Sequence, residues 1–268
     1  MPGNCSGRWR VPPMPEPIVI RMAVTADFDG MWRLYRASRR RCWLPSSLLA
    51  LLWTGLLAVL IGRLSAQDDL LLLIGQVEEL VSSSAFWRVL LAAACVSTWL
   101  SCAVIVLVHA VATGGSVGVG AAMARALRAF PAALAGAAIY VGLTSLGSLL
   151  LLVPGAYLWG MWQLWVVVLM IERTGPGNAL GRSWALMRGI WWQGTALTTV
   201  ATVAVVAAPL IVNGLMSIMG AVLGASAAQT PLIALAALGI CLAALVPLLP
   251  AALVAIYVVQ QRRQALAV

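Results

Sequence analysis

Residues 131–171 read PAALAGAAIYVGLTSLGSLLLLVPGAYLWGMWQLWVVVLMI, forty-one residues without one charged side chain. As a single helix this run would extend about 60 Å, roughly twice the hydrocarbon thickness of a bilayer. It must therefore fold back on itself, and Pro154-Gly155 near its middle is the natural turn. Two spans, about 131–153 and 155–171, follow from this one stretch.

Outward from this hairpin the same reading recurs. Residues 44–61 and 89–111 form the first two spans, with Pro45 in a first-turn position where proline is tolerated. Residues 195–219 and 231–259 form the last two. The chain is 62% hydrophobic and only 9% charged, with mean hydropathy +0.98. A water-soluble globule of 268 residues could not clothe so much apolar surface. The fold class expected is an all-α membrane protein with six transmembrane helices. Residues 1–22, carrying Pro2, Pro12, Pro13, Pro15 and Pro17, read as a disordered tail, and 261–268 as a short basic tail.

The net charge of +9 comes entirely from arginine, since the chain contains no lysine. The arginines cluster in alternate inter-span segments. Only Arg63 and Arg88 fall on the opposite side, beside Asp68, Asp69, Glu78 and Glu79. By the positive-inside rule both termini then lie in the cytoplasm, and the expected location is a bacterial inner membrane. The arginines face anionic phospholipid headgroups in this reading, and no basic soluble domain exists to bind nucleic acid. Leu70 to Ile74, with Val77, are expected to form a short surface helix among the acids.

Two arginine-bearing segments resemble each other: Trp32-Arg33-Leu34-Tyr35-Arg36 before span one and Trp184-Ala185-Leu186-Met187-Arg188 before span five. At helical spacing Leu180, Trp184, Met187 and Trp191 share a stripe, with Arg182 opposite. Phe28, Met31, Tyr35 and Cys42 do the same, with Arg33 and Arg40 opposite. A weaker copy, Met123, Leu127 and Phe130 with Arg125 and Arg128, precedes span three. The expectation is three units, each an amphipathic interfacial helix followed by a transmembrane hairpin.

Val153-Pro154-Gly155, then an apolar span ending in Glu172, then Gly175-Pro176, Ala179-Leu180, Ser183 and Trp184 form a pattern with a known likeness. It resembles the membrane domain attached to some glycerophosphodiester phosphodiesterases, and related stand-alone inner-membrane proteins of bacteria. The resemblance implies a six-helix membrane fold and no catalytic residues. The soluble phosphodiesterase domain of the fused members has no counterpart in these 268 residues, so that activity is not implied.

Glu172 is the charge nearest the apolar core, and its expected partners are Arg182 and Arg188, with Gly175-Pro176-Gly177 turning the chain between them. Asn178 is the candidate cap of the following helix. Within the spans, His109, Gln163 and Asn213 are the candidate polar site residues. Pro209, Pro247 and Pro250 are expected to kink spans five and six. Enzyme templates fail: without lysine there is neither a phosphate-loop lysine nor a Schiff base, and one histidine cannot make a His-pair zinc motif. No cofactor or metal is expected. The five cysteines read as small core residues rather than a disulfide framework. Two functions remain: a non-enzymatic scaffold or accessory subunit acting with lipids or a membrane-protein partner, and a small-molecule or lipid transporter with its site between spans four to six.

Overall fold

A computed structural model describes residues 28–64, 78–150, 152–222 and 229–266. The proline-rich tail and the acidic-loop helix of 70–77 lie outside the described residues. Nine long or medium helices make up the rest, with one further helical turn at 78–82: α1 (Phe28–Leu64), α2 (Ser84–Ala112), α3 (Val119–Leu150), α4 (Leu152–Trp162), α5 (Trp165–Glu172), α6 (Pro176–Met187), α7 (Trp191–Val222), α8 (Gln229–Leu245) and α9 (Leu248–Leu266). They supply six segments long and apolar enough to cross a membrane: α1, α2, α3, α4 with α5, α7, and α8 with α9. The chain is a multi-pass membrane protein.

The centre of the bundle is α9. Pro250 to Gln260 are all buried, and α1, α2 and α7 pack around them while α5 and α6 close one end. Alanine at 251, 252 and 255 is at most 2% exposed, which lets neighbouring backbones approach on several sides at once. The outer surfaces are apolar as well. Leu149, Val153, Leu210, Ile211, Ile218 and Val222 stand exposed on α3, α4 and α7. Exposure of that kind is stable only where the surrounding solvent is hydrocarbon.

The sequence expectations need four corrections. In the 131–171 hairpin α3 ends at Leu150 and α4 begins at Leu152, so Pro154 and Gly155 sit inside α4. Pro154 falls in the first helical turn, where a missing N–H costs nothing. Gly155 packs against Ser148, where a Cβ would come within 2.6 Å of that residue's backbone nitrogen and Cα. The dipeptide is thus the close-packing start of the return helix. Secondly, α1 and α3 run unbroken from their arginine-bearing ends into the spans, so of the three expected interfacial helices only α6 stands apart. Gly189 at φ 91 follows α6 and redirects the chain. The matching position in the first copy is Ala37, which cannot adopt that conformation cheaply, and the helix continues. Thirdly, residues 261–266 continue α9 rather than forming a separate tail. Fourthly, Pro250 falls in the first turn of α9 rather than at a kink; the break in span six falls at Val246-Pro247, as expected of Pro247, and Pro209 lies inside α7.

A Cβ at Gly189 would meet no atom within 4 Å, so Gly189→Ala carries a backbone cost alone. Its expected effect is a loss of about 1–2 kcal/mol, read as a lower melting temperature in detergent. Unchanged melting would mean that the α6–α7 turn relaxes to negative φ.

Candidate functional site

Two polar clusters sit on the interfaces of α6. The first lies where α5 ends. Glu172 Oε1 accepts hydrogen bonds from Tyr257 Oη at 3.0 Å and from Gln261 Nε2 at 3.0 Å, and Arg182 Nε lies 3.5 Å away. Gln261 Nε2 also donates to Tyr257 Oη at 2.9 Å. Arg182 Nη2 donates to Gln264 Oε1 at 2.8 Å. Tyr257, Gln261 and Gln264 stand at i, i+4 and i+7 on α9, so one helix face supplies three groups to the knot. His109 of α2 sets its ring edge-on to Tyr257, centroids 6.2 Å apart.

The chain reaches this geometry through a short turn. Arg173 caps α5 in the left-handed region at φ 55, Gly175 is extended, and Pro176 opens α6. Ala179 N–H bonds Gly175 O at 2.9 Å, so the backbone of Gly175, and not the side chain of Asn178, occupies the cap position. Arg182 is the ion-pair partner of Glu172. Arg188 sits instead at the exposed C-cap of α6, its N–H bonding Trp184 O.

The carboxylate holds three elements together, α5, α6 and α9. Glu172→Ala removes the acceptor of two hydrogen bonds and the partner of Arg182. Since both ion-pair side chains are partly exposed, at 37% for Arg182 and 23% for Glu172, solvent screens the loss. About 1–2 kcal/mol and a reduced membrane yield are expected. Wild-type yield and melting of that variant would contradict the assignment.

The second cluster lies at a break in span four. α4 ends at Trp162 and α5 begins at Trp165, which frees backbone groups that an unbroken helix would pair. Ser183 Oγ, on the buried face of α6, accepts from Leu164 N–H at 3.2 Å and donates to Met161 O at 3.1 Å. Gln163 is buried beside it. Its Oε1 accepts from the Thr198 hydroxyl of α7, and its Nε2 lies 3.7 Å from Met187 Sδ. Trp184 rests against Tyr157 and Trp162. Gly160 faces Trp191 and Thr195, whose indole N–H and hydroxyl are buried without a hydrogen-bond partner.

Span six is broken too, and the capping logic repeats. Tyr35 Oη donates to Ala244 O at 2.8 Å, at the end of α8 just before Pro247. Aligned on their tryptophans, the two related segments place Tyr35 opposite Met187. Each segment therefore serves a broken span: the first satisfies α8, the second satisfies α4 and α5. The sequence stripes on these segments were legible. Their task was not, because Gln163-Leu164 carries neither proline nor glycine to announce a break.

Gln163, Asn213 and His109 do not form one site. Asn213 lies fifteen residues beyond Thr198 on α7, about 22 Å along the helix, and His109 belongs with Tyr257 in the other cluster.

No family model, no curated protein and no solved structure matches this chain.

Proposed function

We propose that this protein is a non-enzymatic inner-membrane protein, a scaffold or accessory subunit that works with anionic lipids and a membrane-protein partner in envelope or phospholipid homeostasis. One observation carries the reading: the bundle is closely packed around α9, while arginine-rimmed grooves open at one end. Arg39 and Arg40 rim a groove of about 810 Å³ between α1 and α8. Arg40 and Arg41 border another of about 510 Å³ against residues 116–119. Grooves of this size with cationic rims suit headgroups and partner helices. With those arginines in the cytoplasm both termini are cytoplasmic, by the same positive-inside argument. The likeness of the 153–184 pattern to the membrane domain of glycerophosphodiester phosphodiesterases agrees with a lipid-related role.

Native mass spectrometry of the protein extracted gently from its own membrane tests this. The expected result is a stoichiometric partner protein together with retained anionic lipid. Recovery of the chain alone, carrying a small solute, would contradict it.

A transporter is the second reading. Spans four and six are both discontinuous, a feature that marks substrate sites in many transporters, and Gln163 and Thr198 lie buried beside the first break. Against it, the Thr198 hydroxyl already donates to Gln163 Oε1 and the Gln163 amide nitrogen faces Met187 Sδ.

A further inference from the structure

A third groove, of about 680 Å³, separates α3 from the end of α5. Arg125 and Arg128 of α3 and Arg173 of the α5 cap all line it. None of the three pairs with a carboxylate among the described residues. The nearest acid along the chain, Glu172, is already engaged by Tyr257, Gln261 and Arg182. Thr174 adds a hydroxyl to the same lining, and its Oγ1 is buried without a hydrogen-bond partner. Three guanidinium groups without a carboxylate partner thus line a single space, with one idle hydroxyl buried beside it. Three like charges on one rim attract an anion to that space.

The remaining wall decides which anion. Ala129 and Ala132 of α3, half-buried over the core residues Leu169 and Met170, continue from the arginines toward the apolar part of the span. A free inorganic anion would gain nothing from that wall, whereas a molecule with a charged head and hydrocarbon tails uses both parts. Arg128 lies three residues before Pro131, where the uncharged stretch begins, so the cationic rim sits at headgroup depth.

We propose that this groove binds the phosphate headgroup of one anionic phospholipid, with Arg125, Arg128 and Arg173 on the phosphate oxygens and an acyl chain along Ala129 and Ala132. The site is separate from the Glu172 knot, and the inference does not rest on the scaffold reading, since a transporter could hold the same lipid.

Arg173 supplies a discriminating variant. It is the single non-glycine residue at positive φ among the described residues, so Arg173→Gly relieves backbone strain while removing one guanidinium. The full-length protein is delipidated and titrated with phosphatidylglycerol or phosphatidylcholine, and bound lipid is counted by native mass spectrometry. Wild type is expected to retain one phosphatidylglycerol in preference to phosphatidylcholine. Arg173→Gly is expected to melt no lower than wild type yet to bind that lipid several-fold more weakly, and Arg125→Gln with Arg173→Gly at least about tenfold more weakly. The pair Arg262→Gln with Arg263→Gln removes equal charge near the C-terminal end of α9 and is expected to leave retention unchanged. Equal losses in both double variants would overturn the site in favour of diffuse charge. Displacement of phosphatidylglycerol by millimolar inorganic phosphate would overturn the lipid assignment in favour of a soluble anion. Absence of any preference for one phosphatidylglycerol in wild type would overturn the proposal outright, whatever the variants do.

Discussion

Ser183→Ala is expected to lower the melting temperature by roughly 5–10 °C, more than most single substitutions in this chain. The hydroxyl is fully buried and bonds two backbone groups of span four, Leu164 N–H and Met161 C=O. Alanine leaves both without a partner in a region that water does not reach, at about 1–3 kcal/mol for each group. Rewinding α4 and α5 into one helix would re-pair them, but it would also rotate Gln163 away from Thr198 and Trp162 away from Trp184. Ser38→Ala is the control. Ser38 is equally buried, but its hydroxyl bonds only Tyr35 O, three residues back on its own helix, so its loss is expected to stay below about 1 kcal/mol. Melting of Ser183→Ala within about 2 °C of wild type would remove the capping role.

Gly155→Ala is expected to separate α3 from α4. The added methyl would meet the backbone of Ser148, its nitrogen and Cα both at 2.6 Å. Backbone cannot rotate aside as a side chain can, so the helices must part along the hairpin, at about 1–3 kcal/mol. Gly142 on α3 gives the opposite sign. A Cβ there meets nothing within 4 Å, and alanine stabilises a helix interior by about 1 kcal/mol over glycine. The expected pair of results is a lower melting temperature for Gly155→Ala and an equal or higher one for Gly142→Ala. If both variants shifted alike, tight packing at Gly155 would not be what holds the hairpin.

These two residues also mark how far the sequence could be read. The six spans were legible because forty-one uncharged residues cannot be one helix, and apolar length alone settles that. The turn was misplaced by a few residues, because proline and glycine serve a helix start and a close contact as readily as a turn. The ion pair of Glu172 with Arg182 was legible, since charges are scarce near the apolar core and a Gly-Pro-Gly turn brings these two together. Tyr257, Gln261 and Gln264 were not, although they share a face of α9. Nothing local to α9 says that this face meets Glu172. The break at Gln163-Leu164 was equally hidden, because Ser183 from another helix sustains it and no residue at the break itself requires it. The arginine groove escaped for the same reason: Arg125 and Arg173 are forty-eight residues apart, and only the packing of α3 on α5 makes them neighbours.

The scaffold reading stands on a bundle that is closely packed at its centre, with arginine-rimmed grooves on its surface. The most direct test replaces the native cysteines and introduces one at Ala201, fully buried on α7 near Gln163, and separately one at Ala124 in the α3–α5 groove. Membrane vesicles of both orientations are then treated with a membrane-impermeant maleimide. The account predicts labelling of Ala124→Cys from the cytoplasmic face and none of Ala201→Cys from either face. Labelling of Ala201→Cys at a rate comparable to Ala124→Cys would reveal a water-filled path through the spans, and would contradict the scaffold in favour of a transporter.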